Sequence, residues 1–166
     1  MKRLLCLTLT FLMLICLPAC VSSGDTSVSF CYLRGDFTLG EIDSVLVYEQ
    51  RDTAGRQDAL DYLLGIYLNG PLDDKLVSPF PAGTHLVDYQ MQGQTLVLEV
   101  SQEFFSLEGI RLTLEASCLA FTCFQLTDAE TVQITCRNEI PIVLGRESMT
   151  LVDDSVFSEG LTEPSA

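Results

Sequence analysis

The sequence contains no tryptophan, a single histidine and few basic residues, with 9 Lys and Arg set against 23 Asp and Glu for a formal net charge of −14. Each shortage excludes something. A surface this acidic repels phosphate backbones, so no nucleic acid is expected as a partner. Without tryptophan the chain lacks the broadest aromatic platform for gripping wall sugars. His85 is the one side chain that titrates near neutral pH without perturbation, so it is the one ready candidate for a general base. There is also no apolar run of the roughly 20 residues needed to cross a bilayer as a helix. Leu4 to Ile15 is shorter than that and follows Lys2 and Arg3, which reads as the apolar core of a secretory leader behind its positive start.

What the leader runs into is Cys20. Ordinary leader cleavage wants small residues at the first and third positions before the cut, and Leu17 occupies the third. Leu17-Pro18-Ala19-Cys20 instead resembles a bacterial lipobox, in which a diacylglyceryl group is placed on the cysteine thiol before cleavage in front of it. Only a cysteine supplies that nucleophile. Pro18 departs from the Ala, Ser or Thr usual in its slot. A conventional cut after Ser22 is the alternative and would release the chain. If Cys20 is acylated, two chains at about 0.8 kcal/mol per buried methylene hold the protein stably on the membrane, without basic patches.

Cleavage before Cys20 leaves about 147 residues, enough for one domain with its own core. All 23 acidic residues are retained while Lys2 and Arg3 are lost, so 7 basic residues remain and the net charge moves to about −16. Four cysteines stay with the domain besides Cys20: Cys31, Cys118, Cys123 and Cys136. An even number outside the cytoplasm permits two disulfides. Cys118 and Cys123 fall five apart on an expected helix and point to different faces, so buried free thiols are the expected state.

The pattern along the chain sets out the elements. Val21 to Thr26 is a short polar tether. Strands are expected at Val28–Leu33 and Ile42–Tyr48, with Arg34-Gly35-Asp36 as a turn. Ala59, Leu60, Leu63, Leu64, Tyr67 and Leu68 recur at the spacing of one helical face, and Asn69-Gly70-Pro71 stops that helix. Gly65 inside it costs about 1 kcal/mol relative to Ala, which close packing on a sheet would explain. Leu86–Met91 and Thr95–Val100 flank Gln92-Gly93-Gln94 as a hairpin. A second helix is expected from Leu107 to Phe124 with Leu107, Ile110, Leu114, Cys118 and Phe121 as its buried stripe, followed by a strand at Thr131–Thr135. Ile140–Leu144 and Met149–Val152 suggest a short last hairpin. The fold class is therefore α+β, a two-layer sandwich of mostly antiparallel sheet with two helices packed on one face.

The ordered series from Ala59 to Ile134 resembles a known family. A helix ending in Leu68-Asn69-Gly70-Pro71 is followed by Ser78-Pro79-Phe80-Pro81-Ala82-Gly83-Thr84, then by Leu96 to Val100 leading into Ser101-Gln102-Glu103-Phe104, then by Thr122 to Leu126 before Val132-Gln133-Ile134. This is similar to the GerMN domain of sporulation and spore-germination proteins. Cys123, Phe124 and Asp128-Ala129 depart from the family's usual residues. The residue pattern gives a leader (1–19), a lipidated tether (20–27) and a frayed acidic tail (153–166), and the resemblance implies a GerMN-like domain (28–152) between them. It also implies a non-enzymatic protein-interaction or assembly module on the outer face of the membrane, serving sporulation, germination or other envelope processes.

No chemistry in the chain argues for more. A Ser-His-Asp set built on His85 would need Ser78 or Ser101 as nucleophile, and neither stands in a Gly-x-Ser-x-Gly elbow. Asp73-Asp74 and Glu99 with Glu103 are the carboxylate pairs a glycosidase would use, yet they read as solvated surface. The cysteine spacings are not those of a zinc site, and Asp73-Asp74 lacks the alternation of a calcium loop. No catalytic residue, metal or cofactor is expected, and Cys20 is the one residue assigned a role. Expected partners are the membrane, through diacylglyceryl-Cys20, and an envelope protein or a second copy. The alternative is a module that binds wall glycan or a small envelope ligand, which needs a concave site near His85, Asp88 or Glu103.

Overall fold

A computed structural model describes residues 27–35, 45–56, 59–137 and 139–150. The leader, Cys20, residues 21–26 of the tether and the acidic tail lie outside these residues. Strand β1 (Ser27–Arg34) pairs antiparallel with β2 (Leu46–Asp52) on one side and with the two-residue β3 (Leu76–Val77) on the other. A second sheet runs β4-β5-β6-β7, from β4 (Leu86–Gln92), β5 (Thr95–Val100), β6 (Thr131–Thr135) and β7 (Ile142–Gly145). Helices α1 (Leu60–Leu68) and α2 (Ile110–Leu126) supply the second layer, with a 3-10 turn at Gln102–Ser106 and a short α3 (Arg146–Thr150). The α+β class, the mostly antiparallel pairing and the two main helices agree with the sequence.

The division into two sheets does not follow from the sequence. β5 and β6 pair in parallel, Leu96 beside Val132 and Leu98 beside Ile134, so the chain must cross over between them. A parallel pair needs a connection of a dozen or more residues, and the 3-10 turn with α2 provides it. Within the described residues the second strand spans Leu46–Asp52 and so runs past the expected end at Tyr48, since β1 offers partners along its whole length. Ile42 itself lies outside the described residues.

Helix α1 buries Leu63, Leu64 and Tyr67 and ends as its sequence dictates. Gly70 takes φ +100°, its N–H reaches Tyr67 O at 3.0 Å, and Pro71 has no N–H to continue the ladder. Tyr67 organises the core. Its ring stacks on Phe30 at 5.4 Å, meets Tyr32 at 5.0 Å and takes Phe80 edge-on at 5.1 Å.

Both main helices end against an arginine. Arg51 of β2 donates to the carbonyls of Ile66 (3.2 Å) and Gly70 (2.6 Å) and to the Tyr32 hydroxyl (3.1 Å), while Glu49 accepts from its Nε. The guanidinium also lies 5.2 Å from the Phe30 ring centre. Arg146 donates to the carbonyls of Phe124, Thr127 and Ala129 at the end of α2. A cation is favoured at a helix C-terminus, where carbonyls lack partners. The same arginine explains why Met149 sits in a helix and not in the second strand of a hairpin. Anchoring Arg146 turns the chain after Gly145, and α3 then folds Met149 into the core.

The buried stripe of α2 is also displaced. Ile110 is 61% exposed, and the buried side chains are Glu115, Ala116, Cys118, Leu119, Ala120, Thr122, Cys123 and Phe124. The second half of the helix is covered on more than one side, by β1 as well as by β6 and β7, so a single stripe does not describe it. Ala116 and Ala120 allow the close approach.

Candidate functional site

The one histidine borders a concave surface among the described residues. A groove of about 340 Å³ runs between α1 and the first half of β4, bounded by Asp61, Gly65 and Asn69 on the helix and by Thr84, His85, Asp88 and Tyr89 on the strand side. The register explains the opening. Tyr89 lies opposite Leu98 and Met91 opposite Leu96, so both point to the helix-covered face of the sheet. They remain exposed because β4, the edge strand, overhangs that cover. Gly65 does not pack closely on a sheet. A Cβ there would meet nothing within 4 Å, and the missing side chain leaves the groove open.

His85 is held by its backbone. Its N–H donates to Ser101 Oγ at 3.1 Å, and the Ser101 N–H returns a bond to His85 O at 3.0 Å. The ring Nδ1 lies 2.9 Å from Gly83 O, a pure acceptor, so Nδ1 carries a proton and donates to it. Ser101 is thus tied to the His85 main chain, not to its ring. The Ser101 hydroxyl, with the backbone N–H of Glu103 itself, also holds the Glu103 carboxyl below the ordinary carboxylate range. Thr84 is more than nine-tenths buried, and its hydroxyl has no hydrogen-bond partner.

The other candidates do not converge here. Ser78 Oγ accepts from the Phe80 N–H, and Asp73 Oδ1 from the Lys75 N–H, both as turn-forming bonds two residues long. Glu99 is exposed and lies opposite Asp88, on the sheet face turned away from the helices. Among the described residues no group of three His, Cys, Asp or Glu is placed to hold a metal. None of Cys31, Cys118, Cys123 and Cys136 is in a disulfide.

Two features went unread in the sequence. Glu115 is fully buried with neither carboxylate oxygen hydrogen-bonded, and burial pushes it up to about 8. Its position between Leu112 and Leu119, at helical spacing, was the available signal. The second is the apolar row of β4, where Val87, Tyr89 and Met91 are exposed at 55%, 40% and 46%. A bulge between Leu86 and Asp88 sets Val87 apart from the regular ladder. No helix among the described residues is long and apolar enough to cross a membrane.

Neither a family model nor a curated protein sequence matches the chain. Solved structures do. The first GerMN domain of the sporulation protein GerM from Bacillus subtilis is 17% identical with a TM-score of 0.48, over 72% of this chain and 98% of that one. A candidate lipoprotein from Clostridium perfringens is 17% identical with a TM-score of 0.47, over 74% of this chain and 88% of the other. The tandem GerMN domains of the same GerM protein give 17% and 0.47, and this chain spans 39% of their length. Solved structures that this chain is similar to thus include GerMN domains and a candidate lipoprotein.

Proposed function

We propose that the protein is a lipoprotein held at the extracytoplasmic face of the cell membrane by a diacylglyceryl group on Cys20. Its α+β domain serves as a non-enzymatic protein-interaction or assembly module in sporulation, germination or other envelope processes. The observation that carries the interaction role is β4. Among the described residues its outer edge has no strand partner, and Val87, Tyr89 and Met91 line it with exposed apolar side chains. Such an edge accepts an extended segment of another chain through main-chain hydrogen bonds, while the apolar row supplies affinity. A photo-cross-linking side chain at position 89 tests this in intact cells. It should yield discrete adducts with an envelope protein or a second copy, and the same group at Gln133 should not. No adduct at 89 counts against the reading.

The groove favours a second reading, binding of a wall glycan or small envelope ligand. Its volume is in the range of ligand sites, and the unpartnered Thr84 hydroxyl, Asn69 and the acid Asp61 give it polar groups. Retention on isolated cell walls at physiological salt, lost on Gly65→Leu, would promote this reading; free passage would remove it.

A further inference from the structure

Cys31 is the middle of three consecutive buried residues in β1, between Phe30 and Tyr32. Strand alternation puts those two rings on one face, where they meet Tyr67, and Cys31 on the other. The second helix lies against β1 at this point. The Cys31 N–H donates to Thr122 Oγ1 at 2.9 Å, and Cys118 stands one turn before Thr122 on the same side of the helix. Both thiols are fully buried in this seam between β1 and α2, where Cys31 raises the Cys118 thiol through a side-chain hydrogen bond. Cys123, five residues further on, belongs instead to the apolar core cluster. Cys136 follows β6 and is half-buried.

We propose that Cys31 and Cys118 are joined by a disulfide in the exported protein, fastening the strand that follows the membrane tether to the central helix. The inference rests on the extracytoplasmic placement proposed above, since disulfides persist in oxidising compartments. The chemistry is exchange. A thiolate of one cysteine attacks a small-molecule disulfide or the disulfide of an exchange protein, and the second cysteine displaces the mixed intermediate. Two protein thiols lose two electrons and two protons, one S–S bond forms, and the oxidant leaves as two thiols. The bond forms before β1 closes on α2. Once folded, the hydrogen bond to Cys31 and burial push the Cys118 thiol well above its ordinary range, and both sulfurs are shielded from any oxidant.

The test uses the full chain. Protein taken from its own envelope is blocked with an alkylating reagent in denaturant, digested and analysed by mass spectrometry without reduction, while external protease on whole cells reports its placement. The expected result is a linked peptide pair containing Cys31 and Cys118, with Cys123 and Cys136 alkylated. Reduction should then lower the melting temperature by roughly 5–15 °C, as expected for a bond closing a loop this long, with no such shift in Cys118→Ala. Free Cys31 and Cys118 in protein that external protease reaches would overturn the pairing and leave the placement standing. A protease-inaccessible, reduced chain would overturn the placement and, with it, the disulfide in the cell. Refolding of the purified chain in a glutathione redox buffer reads the geometry independently of placement. Linkage of Cys31 to Cys118 supports the pairing, and any other linkage, or none, overturns it.

Discussion

Replacing Glu115 with Gln should remove a pH dependence from folding. The carboxyl is fully buried with no hydrogen bond to either oxygen, and desolvation raises it from an ordinary 4.5 to about 8. The folded state therefore holds a proton that the unfolded chain releases at lower pH. The stabilisation from that proton is complete below about pH 4.5 and is lost as pH rises towards 8. At about 1.4 kcal/mol for each pH unit between the two values, the full span is worth roughly 5 kcal/mol, of which roughly 2–3 kcal/mol falls between pH 5 and pH 7. Gln keeps the shape and does not titrate, although its unpartnered amide also costs about 1–3 kcal/mol at any pH. Urea unfolding followed by circular dichroism at pH 5, 6, 7 and 8 gives both stability curves. The variant should gain on the wild type by about 2 kcal/mol or more between pH 5 and 7, at equal denaturant slope. Parallel curves would refute the reasoning.

Arg51→Met removes the donor to two helix-end carbonyls and leaves Glu49 without its cation, and should cost about 3–5 kcal/mol in urea unfolding; a loss below about 1 kcal/mol would reduce the arginine to a bystander. Tyr67→Phe strips the Cys31 carbonyl of a bond at 2.7 Å and should lower stability by about 1–3 kcal/mol with ring packing preserved. Gly65→Ala should instead stabilise the helix by about 0.5–1 kcal/mol, because the added methyl meets open space. A destabilised Gly65→Ala would mean that the groove is closed in solution.

Local physics made part of this domain readable in advance. The 60, 63, 64, 67 spacing gave α1, and alternation about Gly93, which adopts φ +62°, gave the β4–β5 hairpin. Both depend on neighbours in the chain. The parallel β5–β6 pair does not, since its partners are brought together by a helical crossover that leaves no mark in either strand. The same reason hid the true buried face of α2, which is set by β1 approaching from a distant part of the chain and brings Cys31 to Cys118. At the groove, His85 was conspicuous as the lone histidine, whereas Gly65 suggested tight packing and turned out to border open space. A glycine inside a helix reports only that a side chain is absent.

Anchoring through Cys20 is tested most directly by replacing that residue with Ser and measuring where the protein goes. Cys20→Ser should appear in the culture medium, or be washed from membranes by salt, with the melting temperature of the wild-type domain. A Ser variant that stays with the membrane fraction through salt and carbonate washing, in the same amount as the wild type, would contradict the anchoring.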